Sequence, residues 1–297
     1  MEYIELKDTT YGFAKDFKHD QEIRRSFNKL TEVTFGFNLE SWYRNGFWGA
    51  YYCPYSILYN NEVISNVSIN KIEFEIENKK MTGIQIGTVM TDEKYRHRGL
   101  NKFIMENVIN EWKDQSDFIY LFANDTVLSF YPKFNFETVD EYQFSKSVKS
   151  SSTQPLKKLN MEDKTDIAFL MEAINMSIPI SKISMRNNAS LIMFYCMSFM
   201  KNSIYYIEKF KAVVIAEFEG NTLYLNDVFS KVPLELNDLI LAISNKSIDS
   251  VVLGFTPWDE TGFNKSLIKE GDKLFILKGK FSYFNNNNCM FPVLSHA

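Results

Sequence analysis

Between Ile84 and Trp112 the chain carries residue types that can hold an anion. Ile84, Ile86 and Val89, with Thr residues beside them, read as a strand, and Leu100, Phe103, Ile104, Val108, Ile109 and Trp112 recur at helical spacing. Arg96-His97-Arg98-Gly99 stands between them, a turn that opens directly into the helix. The first N–H groups of a helix lack partners within it and the macrodipole favours negative charge there, so the turn is predicted to cradle an anion such as a diphosphate. A second grouping follows. Phe118-Ile-Tyr-Leu-Phe-Ala123 reads as a short apolar strand leading into Asn124 and then Tyr131. A phenol so placed can donate a proton, or it can pack a short helix onto a sheet.

Arg96-His97-Arg98-Gly99-Leu100-Asn101 resembles the Arg/Gln-x-x-Gly-x-Gly/Ala pyrophosphate loop of the GNAT superfamily, the acyl-coenzyme A-dependent N-acetyltransferases. Asn101 stands where that family usually has Gly or Ala. Asn124 to Phe136 resembles the family's Asn-x6-Tyr-x-Lys-x-Gly-Phe segment, with Asn135 in place of the Gly. The resemblance implies an α/β fold with a mixed sheet, acetyl-coenzyme A as co-substrate and no metal. It implies that the backbone at Val89, Met90 and Thr91 pairs with the pantetheine amides. It further implies that Arg96, His97, Arg98, Gly99, Leu100, Asn101 and Lys102 hold the diphosphate, and that Asn124 helps bind coenzyme A. Tyr131 would protonate the departing thiolate. Many members deprotonate the amine with a Glu on the strand before the loop; here that strand has Gln85 and no carboxylate.

The elements needed to position these residues are legible around them. Asp20 to Thr34 has a helical pattern, and Tyr55–Tyr59 and Val63–Ile69 read as strands about an Asn60-Asn61 turn, followed by Ile72–Ile76. A last strand of this half is expected from about Thr138 to Phe144. The polar, aromatic-free stretch from Ser145 to Thr153, closed by Pro155, reads as a linker between domains at 1–148 and 155–297. Beyond it the order of elements returns: helices at Asp163–Met176 and Ala189–Met200, strands at 204–208, 212–218 and 222–229, a helix at 233–244, and strands at 250–255 and 273–278. The segment from Asn226 that takes the place of the loop has no Arg-x-x-Gly, and no Asn-x6-Tyr follows the strand at Val251, so the second unit is expected to be a degenerate GNAT-like domain.

An intact first half and a degenerate second are similar to the Eis-like tandem acetyltransferases, although their sterol-carrier-like domain is not expected within these 297 residues. The acceptor is expected beside Phe35, Glu40 and Trp42, within an aromatic-rich segment that also fits one helix face packing into core. The tail from Asn285 is apolar at Met290-Phe-Pro-Val-Leu and should dock. In the Eis-like enzymes the chain terminus reaches the acceptor cavity, which would give the Ala297 carboxylate a role in amine deprotonation. A closing strand that covers a sheet edge is the other reading.

Composition sets outer bounds. The chain has 297 residues, 45% of them hydrophobic, enough for two cored domains. With 33 basic and 37 acidic residues and no long basic run, a nucleic-acid surface is not expected. Cys53, Cys196 and Cys289 are widely spaced, so neither a disulfide framework nor a zinc site is indicated. No signal-like start or bilayer-length apolar run is seen, so a cytoplasmic location is expected, with no membrane partner and a possible homo-oligomer. The expected activity is acetyl transfer from acetyl-coenzyme A to a primary amine of a small molecule or peptide. The alternatives are a coenzyme A-binding scaffold without turnover and an aminoacyl transferase.

Overall fold

A computed structural model describes residues 1–149 and 156–296. The first sheet begins with a hairpin, β1 (Glu2–Leu6) and β2 (Thr9–Lys15), that sequence periodicity had not marked. It continues through β3 (Tyr52–Tyr59), β4 (Glu62–Ile76) and β5 (Lys79–Thr91), each antiparallel to the last. Asn60 and Asn61 turn β3 into β4 with φ of 50° and 61°, the left-handed pair that matches strand twist in a two-residue hairpin. The helix α1 (Gln21–Phe35) starts where the Asp20 carboxylate accepts from Glu22 N and Ile23 N at 3.0 Å each. It ends at Gly36, whose φ of 78° is the usual left-handed stop. Its Phe27 and Leu30 pack with Trp42, on α2 (Glu40–Arg44), and with Trp48.

β5 crosses through α3 (Leu100–Trp112) to β6 (Phe118–Ala123), which lies parallel to it. Next in the sheet comes β16 (Lys273–Leu277), antiparallel to β6, and then β7 (Phe136–Val139). β16 belongs to the second half of the chain. The reverse also holds: β8 (Tyr142–Ser147), from the first half, lies in the second sheet between β14 (Ser250–Leu253) and β15 (Asn264–Leu267). That sheet goes on through β13 (Thr222–Ser230), β12 (Ala212–Glu219), β11 (Ile204–Ile207) and β9 (Lys157–Lys158). β10 (Ile183–Arg186), again from the second half, pairs with the far end of β4.

The order β4-β5-β6-β16-β7 therefore recurs as β12-β13-β14-β8-β15, with the strand after each parallel pair contributed by the opposite half. The single strand expected at 138–144 is two strands lying in different sheets, and the strand at 273–278 completes the first sheet rather than the second. The expected linker is likewise altered, since residues 145–147 belong to β8; residues 150–155 lie outside the described residues. On the second sheet α4 (Lys164–Met176) and α5 (Ala189–Met197) cover one face, while α6 (Leu236–Ile243) covers the other. A short turn of helix, α7 (Tyr283–Asn286), precedes the tail.

Candidate active site

β5 and β6 pair from Gly83↔Phe118 to Ile86↔Leu121 and then part. Each leaves with its outer neighbour: Met90 and Thr91 stay registered with Asn66 and Ser65 of β4, while Phe122 and Ala123 pair with Leu274 and Lys273 of β16. The edge of β5 that faced β6 is thus open at Val89, Met90 and Thr91. A bulge produces the divergence. The β4–β5 register shifts between Asn66 and Ser68, and Thr88 opposite adopts φ of 50°, a rare conformation for a β-branched residue. Asn66, fully buried, holds it by donating to Thr88 O at 2.9 Å and accepting from Ser56 Oγ at 2.8 Å. Tyr52 Oη adds bonds to Ser68 Oγ at 2.8 Å and Thr88 Oγ1 at 3.2 Å. Sequence reasoning missed Asn66, Thr88 and Tyr52; the signal was the polar Ser65-Asn66-x-Ser68 inside an otherwise apolar strand.

β5 ends in a short 3-10 turn, Glu93–Tyr95, capped by the Asp92 carboxylate, and the chain enters α3 through His97 and Gly99 at φ of 64° and 84°. Gly99 is the N-cap and offers no side-chain oxygen, and a Cβ placed on it would meet nothing within 4 Å. Among the described residues the N–H groups of Leu100, Asn101 and Lys102 have no hydrogen-bond partner, and they open onto that free space. Arg96 and Arg98 are exposed beside it. Arg96 reaches Thr91 O at 3.4 Å and Glu93 at 3.3 Å, and Arg98 lies over the Tyr95 ring. Lys7, from the β1–β2 turn, donates to His97 O at 3.4 Å and adds a cation that sequence reading had not placed here. Leu100 is buried under the helix, and Lys102 pairs loosely with Glu106 at 3.8 Å. The departure at Asn101 has a geometric answer. Its Oδ1 accepts from Ser65 Oγ at 3.2 Å, which turns the side chain onto β4 and away from the loop.

Asn124 follows β6 and caps the 3-10 turn Asp125–Val127, accepting from Thr126 N at 3.0 Å. Tyr131 begins a further 3-10 turn, Tyr131–Phe134, that packs with Phe130, Phe136 and Phe275 on the α3 side of the sheet. Burial pushes its phenol up to about 12, so it stays protonated at neutral pH. Asn135 closes the turn at φ of 68°, a left-handed position that Asn tolerates where the family uses Gly. Gln85 is fully buried and its carboxamide bonds to Asn70 and to Ile86 O at 3.1 Å each, so this strand position is a structural hydrogen-bonding site.

The expected acceptor residues separate. Phe35 remains exposed and stacks on Phe37 at 6.0 Å. Trp42 is core: it contacts Trp48, Tyr52 and Phe194, and its indole N–H donates to Ser190 O of the second half at 2.9 Å. Glu40 is engaged within the protein as well. Its carboxylate takes bonds from Arg24 at 3.1 Å, Asn28 at 3.2 Å and Arg44 at 3.0 Å, and the Arg24 bond foremost holds it below the usual carboxylate range. The aromatic segment is spent on joining the halves. Ala297 lies outside the described residues; the tail before it does dock, as described below.

In the second half the corresponding backbone survives without an opening. β13 and β14 are parallel from Thr222↔Ser250 to Leu225↔Leu253, and β12–β13 shifts register between Ile215 and Ala216, as β4–β5 does. Here, however, Gly254 N continues the pairing to Leu225 O at 2.8 Å, and Val293 N of the tail bonds Gly254 O at 2.9 Å. A Cβ at Gly254 would lie 2.7 Å from Val293 Cγ2 and 2.9 Å from Asn226 Cα, so the parting is filled by the chain itself. The approach to α6 carries Pro233, which has no N–H, and Glu235 as N-cap, with Asp238 in the first turn. Negative charge at a helix N-terminus opposes an anion.

No helix among the described residues is long and apolar enough to cross a membrane, and no cluster of metal-binding side chains is found among them. Residues 2–139 match the family model described as an acetyltransferase (GNAT) domain. Among curated proteins none matches the chain. Solved structures similar in fold include a probable N-acyltransferase from Enterococcus faecalis, 13% identical, with a TM-score of 0.57 over 90% of this chain and 72% of that one. A GCN5-related N-acetyltransferase from Kribbella flavida is also 13% identical, with a TM-score of 0.55 over 90% and 71%. Eis1 from Mycobacterium abscessus is 10% identical, with a TM-score of 0.51 over 74% of this chain and 63% of that one. A matching domain model over residues 2–139 and an open β5 edge that runs into an uncapped α3 identify this stretch as a GNAT acetyltransferase domain, and the whole chain is similar in fold to the N-acetyltransferase structures above.

Proposed function

We propose that the protein transfers the acetyl group of acetyl-coenzyme A to a primary amine of a small molecule or peptide. The observation that carries this reading is the continuity of the β5 bulge, the open edge at Val89–Thr91 and the free N–H groups at the start of α3. An extended amide-bearing arm fits the first two as an added strand, and its diphosphate fits the third. Arg96, Arg98 and Lys7 supply compensating charge from the rim. When bound, the co-substrate supplies an activated acyl carbon. The chain supplies orientation, and Tyr131 supplies a protonated phenol on the α3 side.

The deciding experiment is detection of free coenzyme A after incubation with acetyl-coenzyme A and a panel of amines, antibiotics and peptides, beside calorimetric binding of acetyl-coenzyme A alone. Transfer to at least one amine is expected. Binding without release of thiol by any acceptor would favour a coenzyme A-binding scaffold, the reading to which Gln85 lends weight. Absence of binding would remove both.

A further inference from the structure

With Gln85 in place of a strand carboxylate, acetyl transfer needs another group to receive the amine proton. The structure holds a buried nitrogen without a partner close to where it would be needed. His296 Nε2 is inaccessible to solvent and has no hydrogen-bond partner among the described residues, a state that calls for a physical explanation. Its ring stacks on Phe122, with centroids 3.5 Å apart and planes inclined by 22°. Phe122 follows Leu121, the last residue of β6 that pairs with β5, so the imidazole lies where the two strands part.

The face is equally telling. Leu121 and Tyr131 pack with α3 on one side of the sheet, whereas Tyr120, Phe122 and Phe291 pack together on the other. His296 is on that second side, across the sheet from the phenol. The segment that carries it is fixed at successive carbonyls. Tyr120 Oη donates to Ser295 O at 3.0 Å, and Tyr195 Oη, from α5, donates to His296 O. Phe291 stacks on Tyr120 at 4.4 Å, and Ser295 N and His296 N close a turn onto Pro292 O and Val293 O.

We propose that His296 is a catalytic base, its Nε2 receiving the proton of an acceptor amine that enters between β5 and β6 on the face opposite α3. The inference rests on the acetyl-transfer reading above. A neutral amine attacks the thioester carbon from this face. The N–C bond forms and the C–S bond breaks, His296 Nε2 takes the amine proton, and Tyr131 Oη gives its own to the leaving sulfur from the far side. Water then returns the imidazolium proton to the phenolate, leaving an amide and a free thiol. Burial draws the imidazole down to about 3, so its lone pair is available throughout the physiological range. The ionisable groups facing the ring, Tyr120 and Tyr195, are phenols that burial raises further, and both are uncharged at neutral pH.

The test compares wild type, His296→Gln and a chain extended past Ala297, each measured for stabilisation by acetyl-coenzyme A and for kcat and KM with one accepted amine. His296→Gln is expected to keep its melting temperature and its stabilisation by acetyl-coenzyme A while kcat falls roughly 100-fold or more. A second readout needs no turnover. In ¹⁵N-histidine-labelled wild type, whose three histidines are assigned by single replacements, His296 should read neutral from pH 5 to 8 and shift when the amine is added with free coenzyme A. Undiminished kcat in His296→Gln, or an unmoved His296 resonance at saturating amine, overturns the assignment. Inactivity of the extended chain beside a normal His296→Gln transfers the role to the terminus. A wild type that transfers to no amine defeats the functional reading itself, and is recognised before any variant is made.

Discussion

Tyr131 and Asn135 show how much a single residue's backbone and surroundings decide. Tyr131 has the burial of a packing residue and the protonation state of an acid, and substitution separates the two. Tyr131→Phe should retain acetyl-coenzyme A binding, measured calorimetrically, and lose turnover roughly 10- to 1000-fold, because the ring contacts persist and only the proton is removed. Equal turnover in the Phe variant would leave it a core aromatic. Asn135 occupies left-handed backbone at φ of 68°. Asn135→Ala should therefore lower stability by about 1 kcal/mol in denaturant unfolding, with Asn135→Gly close to wild type. Both motif departures at Asn101 and Asn135 are thus accommodated locally, one by rotating its side chain onto Ser65 and the other by a conformation that Asn shares with Gly.

At the scale of elements, the decisive feature is the junction between β5 and α3. Gly99 stands at φ of 84° with open space where a side chain would project, so a large residue there both strains the turn and fills the cradle. Gly99→Trp should abolish the rise in melting temperature that acetyl-coenzyme A gives by mass action. Gly99→Asn, which tolerates the backbone, should keep the unliganded melting temperature and still reduce the rise. An unchanged rise in both would detach the loop from cofactor binding. The bulge before it depends on Asn66, whose carboxamide spans Ser56, Ser68 and Thr88. Asn66→Leu would deprive the buried Ser56 Oγ and Thr88 O of this partner, at a cost of about 1–3 kcal/mol measurable by thermal or urea unfolding.

At the scale of the molecule, the reciprocal exchange of β8 and β16 means that neither half holds a complete sheet. Residues 1–148 expressed alone should fail to fold cooperatively, since β6 and β7 lose the strand between them and the core cluster loses Phe275 and Leu277. A soluble fragment with a sharp unfolding transition would contradict this. Buried acids near the seam add a pH dependence. Burial pushes Glu141, between β7 and β8, up to about 8 from the ordinary 4.5, although it accepts from Phe291 N at 2.8 Å. Burial likewise pushes Asp227, on β13, up to about 7 from 3.8. A carboxyl whose folded value is raised contributes stability that is complete below its unfolded value and is lost as pH climbs through its folded value. His296, lowered by burial, acts in the opposite sense below its ordinary 6.5. Between pH 6.5 and 8.5 the acids therefore dominate: wild-type melting temperature should decline, and Glu141→Gln, which keeps an acceptor for Phe291 N, should decline less.

Local backbone arrangement was legible in the sequence. An Arg-x-x-Gly between a strand pattern and a helix pattern, and an Asn followed by a Tyr after an apolar strand, are short-range arrangements fixed by φ preference, helix-end electrostatics and periodicity, so they could be read one after another along the chain. The repeat of elements after the linker was visible for the same reason. What no local pattern could specify was which sheet a strand joins. β8 and β16 satisfy the same alternation wherever they pair, and only the competition among exposed edges in the assembled molecule places each in the other half's sheet. The fate of polar residues was equally a matter of tertiary surroundings. Glu40 and Trp42 have the composition of a binding surface, but Arg24, Asn28 and Ser190, distant in sequence, engage them in the core and at the seam. Phe122, Tyr120 and Tyr195, from the two halves of the chain, converge on the tail and leave the His296 nitrogen buried at the parting of β5 and β6. Burial and long-range contact set its environment, and neither is a property of the few residues around it in sequence.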